Sequence, residues 1–440
     1  MNSGPSGAKS AIKISGFIKT RFGCALLFLL LLNACFSLAF PALKVKAAEL
    51  PSTHCWEWWR SRSFLRQEHS PDVVLLGSSL MMIPVSVLDA DYLHKDLDAV
   101  YHDHSVYMEE ALARSGKTST CFNFAIPGGM ISDDYMIERA LLLDGAKRTK
   151  LIVLGVTLRD FLESHVPCAA STNSFKYFRH YFDVDDIVEL AMPEFWQRFD
   201  YWQSKLVYMV GRRLDLQVAF DQTIGALCNR IFGTSNEKAK NVPDQQLSAN
   251  VAHNLKTEAE PGDFVLHAGQ IYPYEDNTNE YRKRFSSPNR KLFKTEAEFL
   301  KRFLSDAQNR DVKVLLVNMP LTAANMKLMP PGYYSEYLNL AKTQANQFAC
   351  PFLDLNDGKT FVVSDFRDTA HMNSSGGKKL LDAVVAFIVK DPALASVLTA
   401  GNLATKPVAH SDARSITDPT RRLAGRNVEG ATGQIGAGAL

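Results

Sequence analysis

Five short apolar runs with few charges recur along the chain, and longer segments of helical periodicity separate them. Continuous apolar runs of this length predict strands that are buried on both faces of a parallel sheet. The predicted strands occupy residues 73–76, 122–124, 151–154, 312–317 and 352–355. The helical patterns between them occupy residues 134–143, 296–308, 334–348 and 375–388. This alternation predicts a doubly wound α/β sheet that binds its ligands at the carboxyl ends of the strands.

The alternation stops between the third and fourth predicted strands. Residues 165–289 are aromatic in their first part and polar from 243 to 279, which indicates an insertion. We expect either a packed helical subdomain without chemistry or a cap that covers the strand ends or faces a membrane. The core is thereby divided into residues 71–164 and 290–392. Residues 400–440 are rich in Ala, Gly, Thr and Ser and lack long apolar runs, so they are predicted to be a disordered tail.

An uncharged apolar segment covers residues 22–40, and four basic residues precede it. As a helix this segment would be about 28 Å long, close to the thickness of the hydrocarbon core of a bilayer. The basic flank predicts that residues 1–21 stay in the cytoplasm and that the rest of the chain is exported. We therefore expect a retained signal-anchor that attaches the protein to a membrane.

Two alternatives remain open for this segment. Cleavage after the small residues Ala47-Ala48 would secrete the protein. The sequence Leu-Asn-Ala-Cys at 32–35 faintly resembles a lipoprotein box, which would be lipidated at Cys35. Residues 47–70, which include three tryptophans, are predicted to form a juxtamembrane helix or a packing segment.

The composition is that of an ordinary globular protein of 440 residues, with 46% hydrophobic and 22% charged residues. The formal net charge of +2 and the lack of a dense basic tract in the body of the chain exclude a nucleic-acid-binding class. No CxxC pair occurs, and His102-Asp103-His104 has no evident third ligand. The sequence therefore predicts no metal site and no cofactor.

The first predicted strand is followed directly by Gly77-Ser78-Ser79. A serine between a strand and a helix projects from the carboxyl edge of the sheet, where amides at the helix N-terminus face developing negative charge. The same tripeptide also suits a turn with a capping serine. Near the end of the chain, Asp368 precedes His371 by three residues, so its carboxylate can hold the imidazole in one tautomer. The chain thus carries a hydroxyl, a base and a group that orients the base.

Polar groups also follow the second and third predicted strands. Gly128 lies in the turn after the second strand, where its N–H can approach a ligand. Asn123, in that strand, is a candidate accessory residue of the site. An ordinary Pro-Gly turn is the alternative interpretation. After the third strand, the hydroxyl of Thr157 is predicted to reach the same pocket. Arg159 and Asp160 either form a surface ion pair or face the site.

These pieces, in this order, resemble the SGNH/GDSL hydrolase superfamily. The similarity covers residues 71–164 and 290–390, and residues 317–320, Val-Asn-Met-Pro, also resemble the family. The best match is a membrane-anchored subset whose first block reads Gly-Ser-Ser, as in the D-alanyl-lipoteichoic acid transfer protein and the alginate O-acetylation proteins. The resemblance implies a flavodoxin-like, three-layer fold with about five parallel strands.

The resemblance also implies roles for individual residues. Ser79 corresponds to the nucleophile, His371 to the base and Asp368 to the carboxylate that orients the base. The backbone N–H groups of Ser79 and Gly128 correspond to the oxyanion hole. Thr157 stands about where the family has an asparagine that serves as a further oxyanion donor.

The chain departs from the family pattern at two of these positions. Ser78 replaces the usual aspartate and is a second candidate for the attacking serine, and Thr157 has a shorter reach than an amide. The resemblance implies a serine esterase or O-acyltransferase that acts outside the cytoplasm on acyl esters of a cell-surface glycan or related polymer. The departures favour an alternative, a catalytically weakened partner or scaffold of a membrane acyltransferase.

Overall fold

The computed structural model describes residues 20–39, 55–143, 148–179, 181–213 and 264–400, together with residues 216, 220, 224, 230 and 262. The predictions for residues 1–19, for cleavage at Ala47-Ala48 and for the tail beyond residue 400 lie outside the described residues.

In the described part of the chain, one five-stranded parallel sheet is accompanied by two short antiparallel pairs. The strands are β1 (Val73–Gly77), β2 (Leu97–Asp98), β3 (Lys117–Thr118), β4 (Cys121–Asn123), β5 (Leu151–Val156), β6 (Val265–Leu266), β7 (Lys313–Asn318), β8 (Phe352–Asp354) and β9 (Thr399–Ala400). The parallel sheet has the order β4-β1-β5-β7-β8. Counted along the chain, this is the order 2-1-3-4-5 of flavodoxin-like folds. The predicted α/β class with five parallel strands is confirmed.

Helices fill the connections between the strands. They are α1 (Arg21–Ala39), α2 (Trp56–Arg66), α3 (Ser79–Tyr92), α4 (Val106–Arg114), α5 (Ile131–Ile137), α6 (Asn173–Phe178), α7 (Val188–Ala191), α8 (Phe195–Leu206), α9 (Tyr208–Gly211), α10 (Thr278–Arg284), α11 (Arg290–Asn309), α12 (Ala323–Met326), α13 (Tyr333–Gln347), α14 (Ser374–Lys390) and α15 (Pro392–Val397). A π-helical turn, Glu138–Leu142, extends α5, and a 3-10 turn, Leu158–Asp160, follows β5.

Helix pairs flank the sheet and complete the three layers. Helix α3 packs against α14, and α5 packs against α11. Helix α11 is amphipathic because Phe299, Phe303 and Ala307 recur at intervals of four residues and are all buried. Burial of each of these phenylalanine side chains contributes about 1.5–3 kcal/mol. Since β1 and β5 are buried along their whole length, the sheet holds the ends of these strands in fixed positions.

Helix α2 belongs to the core. Trp58 and Phe64 are buried in it, and the fully buried Arg60 donates hydrogen bonds to the carbonyl oxygens of Ala99 and His102 at 2.8 and 2.7 Å. Helix α2 therefore contributes to the core of the domain.

The insertion contains both packed and exposed parts. In α6, Phe175, Tyr177 and Phe178 are buried in the hydrophobic core, whereas Phe195 and Trp196 of α8 are exposed. Among the described residues, the N-terminal helix α1 is long and apolar enough to cross a membrane, although a signal sequence would have the same properties. Helix α1 is thus a candidate anchor.

Candidate active site

A glycine ends β1 because the neighbouring strand leaves no room for a side chain. A Cβ atom at Gly77 would lie 2.5 Å from the carbonyl oxygen of Gly155 on β5, and the φ angle of Gly77 is +127°. The N–H of Gly77 donates to Oδ1 of Asp134 at 3.0 Å. Burial raises the pKa of Asp134 well above its ordinary value. These contacts hold the turn that makes Ser79 the first residue of α3.

Ser79, His371 and Asp368 form a connected relay. The distance from Ser79 Oγ to His371 Nε2 is 2.9 Å, and the distance from His371 Nδ1 to Asp368 Oδ2 is 2.7 Å. When Nδ1 carries the proton, it donates to Asp368, and Nε2 is left to accept the Ser79 hydroxyl proton. The side chains of His371 and Asp368 are 17% and 14% exposed, so the relay is partly open to solvent.

The hydrogen bonds around Asp368 favour its charged carboxylate form. Its Oδ1 accepts the N–H groups of Ala370 and His371 at 2.8 and 2.7 Å, while Oδ2 faces the imidazole. Burial acts to raise the pKa of Asp368, but hydrogen bonds and the charge of His371 outweigh it, so this pKa lies below its ordinary value. Asp368 can therefore orient the ring and stabilise its protonated form.

The structure distinguishes the two adjacent serines. Ser78 is the residue before α3 and is buried, and its Oγ has no hydrogen-bond partner among the described residues. Ser79 is partly exposed and contacts His371. The hydroxyl next to the base is therefore that of Ser79.

The turn that carries Asp368 and His371 is held through Thr369, a residue that the sequence did not single out. Both the N–H and the hydroxyl of Thr369 donate to Oδ1 of Asn277, in the insertion. The carbonyl oxygen of Thr369 accepts the Thr322 hydroxyl at 2.7 Å, and its Oγ1 accepts from Asn325 Nδ2 at 3.2 Å. The motif spacing carries no signal for these contacts because they join segments that are distant in the sequence.

Gly128 lies beside the end of β1. The N–H of Ile126 donates to the carbonyl oxygen of Gly77 at 3.0 Å, which attaches the turn after β4 to the turn before Ser79. Gly128 has a φ angle of +74°. Among the described residues, the N–H groups of Ser79 and Gly128 have no acceptor. Both amides are therefore available to an added acceptor.

Arg159 supports the turn of Gly128. Its Nη1 donates to the carbonyl oxygen of Gly128 at 3.2 Å, and its Nη2 donates to that of Gly129 at 2.5 Å. The same guanidinium forms an ion pair with Asp160 at 2.8 Å. The sequence left open a surface ion pair or a contact with the site. In the structure the Arg159–Asp160 pair is buried, and Arg159 also contacts the Gly128 turn.

The hydroxyl of Thr157 is already engaged. Both its N–H and its Oγ1 donate to Oδ2 of Asp160, at 2.8 and 3.1 Å, and both residues are buried. Burial raises the pKa of Asp160, although Arg159 and these hydrogen bonds oppose the shift. The oxyanion role predicted for Thr157 would require the Thr157–Asp160 bond to break.

Asn123 is part of the support of the turn. Its Oδ1 accepts the N–H of Ala125 at 3.2 Å, whereas its buried Nδ2 has no partner among the described residues. His102, from the histidine pair considered for metal, bonds to Asp89 at 2.8 Å. No group of three His, Cys, Asp or Glu side chains in the described chain is arranged to hold a metal ion.

No family model and no curated protein matches the chain. Its class is therefore defined by fold and geometry: a flavodoxin-like α/β protein with a Ser-His-Asp relay at the carboxyl edge of its sheet.

Proposed function

We propose that the protein is a serine esterase or O-acyltransferase of the SGNH type that acts outside the cytoplasm. The observation that carries this proposal is the continuous hydrogen-bonded relay from Ser79 through His371 to Asp368. A serine hydroxyl is a weak nucleophile until an adjacent base takes its proton, and this arrangement supplies the base and its orienting carboxylate.

The reaction begins when Ser79 Oγ attacks the ester carbonyl carbon and His371 Nε2 takes the hydroxyl proton. Asp368 stabilises the resulting imidazolium. When the tetrahedral intermediate collapses, the bond to the leaving alcohol breaks, His371 returns the proton to that alcohol, and the acyl group stays on Ser79. Water or an acceptor hydroxyl then attacks the acyl-enzyme by the same steps.

The developing negative charge requires donors that point to it. We assign this role to the N–H groups of Ser79 and Gly128, because neither has an acceptor among the described residues and the two turns are joined through Gly77. Arg159 is a positioning residue, since it holds the carbonyl groups of Gly128 and Gly129.

The substrate class rests on the resemblance to the membrane-anchored subset. That subset suggests an acylated cell-surface glycan or related polymer, with transfer or hydrolysis decided by which acceptor reaches the acyl-enzyme. The candidate anchor α1 supports a location at a membrane, and the basic residues before it favour the exported side for the domain.

A fluorophosphonate probe tests the proposal, because it reacts covalently with activated serines. We expect wild-type protein and the Ser78→Ala variant to be labelled and the Ser79→Ala variant to remain unlabelled. Intact-mass spectrometry measures the adduct, and circular dichroism checks that all three proteins are folded. Labelling of Ser79→Ala at the wild-type rate would remove Ser79 as the nucleophile.

The Thr157–Asp160 hydrogen bond favours a second candidate function. It leaves the site without the third oxyanion donor of the family, and loss of one such donor typically costs about 10²–10³ in rate. A protein of this kind would serve as a partner or scaffold of a membrane acyltransferase. Full activity in cells of a Ser79→Ala/His371→Ala double variant, with co-purification of the acyltransferase, would support this role, and loss of activity would exclude it.

A further inference from the structure

Helix α8 presents a row of large apolar side chains to solvent. We call this row the aromatic face, and its members recur at helical spacing on one side of the helix. It consists of Phe195, Trp196, Phe199, Trp202 and Leu206. Trp196 is 71% exposed and Leu206 is 76% exposed. A contiguous exposed apolar surface of this kind indicates a binding surface.

The opposite side of α8 attaches the helix to the protein. Tyr201 is buried, and its hydroxyl donates to Oδ1 of Asp185 at 2.5 Å. Lys205 forms an ion pair with Asp183 at 3.1 Å. The orientation of α8 is therefore fixed, and the aromatic face points away from the core.

The candidate anchor α1 meets the end of this helix. Nδ2 of Asn33 donates to the carbonyl oxygen of Leu206 at 3.1 Å, and Oδ1 of Asn33 accepts the N–H of Tyr208 at 2.5 Å. Both functional atoms of the amide are thus paired with backbone groups at the junction of α8 and α9. An unpaired amide in hydrocarbon costs several kcal/mol by general solvation arguments, so this pairing joins an apolar helix to one defined place on the domain.

With the end of α1 placed at the membrane surface, the depth of this contact would match that of an interfacial helix. Asn33 precedes the last residue of α1, Ala39, by six positions, which is about 9 Å along the helix axis. Helices that lie in a membrane interface bury their apolar face about 5–10 Å into the boundary between headgroups and acyl chains. Tryptophan, phenylalanine and leucine are typical of the apolar face of such helices.

We propose that the aromatic face of α8 lies in the lipid leaflet next to the C-terminal end of α1, and that the two hydrogen bonds of Asn33 hold α8 at that depth. The partner is thus the bilayer that holds α1. The proposal rests on the membrane location suggested above and is independent of the chemistry at Ser79. It makes the insertion a second point of membrane attachment, which fixes the orientation of the domain on the surface.

Tryptophan fluorescence tests the proposal on the full chain in phosphatidylcholine vesicles. Of the five tryptophans, Trp196 and Trp202 belong to the aromatic face, while the other three lie in α2. We expect lipids brominated near the headgroup to quench wild-type fluorescence more than lipids brominated near the terminal methyl. The Trp196→Phe/Trp202→Phe variant should lose this quenching, because the α2 tryptophans remain within the domain.

Asn33 is tested by an Asn33→Leu variant with Leu31→Ala as its control. Asn33→Leu keeps an apolar helix that inserts, but we expect weaker quenching because the two hydrogen bonds to the α8–α9 junction are lost. The Leu31→Ala variant should match wild type. The Ser79→Ala variant should also match wild type, which separates this test from that of the enzymatic proposal.

Three results would overturn the inference. The first is an unquenched wild-type protein that nevertheless floats with the vesicles. The second is cross-linking of a Trp196→Cys variant to a second copy, which would make the aromatic face a self-interface. The third is a mature protein whose mass shows that α1 has been removed.

Discussion

The ends of β1 and β5 share a register position, but their hydroxyl groups have different hydrogen-bond partners. The two strands pair in register, with Gly77 opposite Gly155, and a hydroxyl residue stands two positions after each glycine. Ser79 offers its hydroxyl to His371, whereas Thr157 donates its hydroxyl to Asp160. Position at the carboxyl edge of a sheet therefore does not by itself place a base beside a hydroxyl group.

The carboxylates near these two hydroxyl groups, Asp368 and Asp160, also differ in their burial and in the direction of their pKa shifts. Asp368 is partly exposed, and hydrogen bonds from His371 and the backbone keep its pKa below the ordinary value. Asp160 is almost fully buried, and burial raises its pKa although Arg159 is adjacent. The first carboxylate is available to stabilise a charge that appears on His371, and the second is used to hold the structure around Thr157.

The largest effect is expected for Asp368→Asn. The amide can still accept the backbone N–H groups, but it favours the wrong imidazole tautomer, so we expect kcat for an activated ester to fall by about 10⁴-fold with the fold retained. Asp382→Asn, at a carboxylate that accepts from Tyr107, is the control and should keep its activity. A decrease of kcat by less than tenfold in Asp368→Asn would show that the reaction does not depend on the relay.

Arg159→Lys should have the next largest effect. Lysine keeps the charge beside Asp160 but cannot contact both carbonyl groups of the Gly128 turn, and misplacement of a positioned donor costs about 10²-fold. The measurement is kcat/KM, compared with that of Arg284→Lys, because Arg159 and Arg284 both form ion pairs with Glu163, at 3.9 and 2.6 Å. Equal losses in the two variants would indicate a general effect on the ion pairs rather than on the turn.

Thr157→Val should change stability more than rate. The loss of a buried hydrogen bond to Asp160 is expected to lower the free energy of unfolding by about 1–3 kcal/mol. Thr149→Val is the matched control, because the buried Thr149 hydroxyl donates to the carbonyl oxygen of Pro71 at 2.9 Å near the other end of β5. A rate loss of about 10²-fold in Thr157→Val alone would instead identify Thr157 as an oxyanion donor.

The smallest effect is expected in the pH dependence of stability, where the two carboxylates act with opposite signs. The lowered pKa of Asp368 contributes stability above its ordinary value of 3.8, and this is lost as the pH falls through the folded-state pKa. The raised pKa of Asp160 contributes stability that is lost as the pH rises from 3.8 through its folded-state pKa. Urea unfolding across this range should therefore show less acid loss in Asp368→Asn and less loss with rising pH in Asp160→Asn. The comparison would be contradicted if both variants changed the slope of the unfolding free energy against pH in the same direction.

The core fold was predictable because strands buried on both faces are continuously apolar. The run at 73–76 predicted β1, whose observed end is Gly77, and the run at 312–317 predicted β7, which is shifted by one residue. The strands β2 and β6 were not predicted, since two-residue pairs have no periodicity.

The candidate site was predictable only where its parts are local. Asp368 and His371 are three residues apart, so their contact follows from the spacing, and Ser79 follows from the glycine at the strand end. The hydrogen bonds of Asn277 to Thr369 join positions 92 residues apart and required the structure. The engagement of Thr157 by Asp160 is local, but a threonine that faces a pocket and one that caps a turn have the same sequence pattern.

The separation of Ser79 and His371 by 292 residues has a consequence for biosynthesis. At about 5–20 residues per second, roughly 15–60 s pass between the synthesis of the two residues. During that interval the nascent chain can form the first strand and the helix that begins at Ser79, but it does not yet contain His371, the base of the relay. A prematurely terminated product would therefore lack the relay, which exists only in a chain that has been translated at least as far as His371.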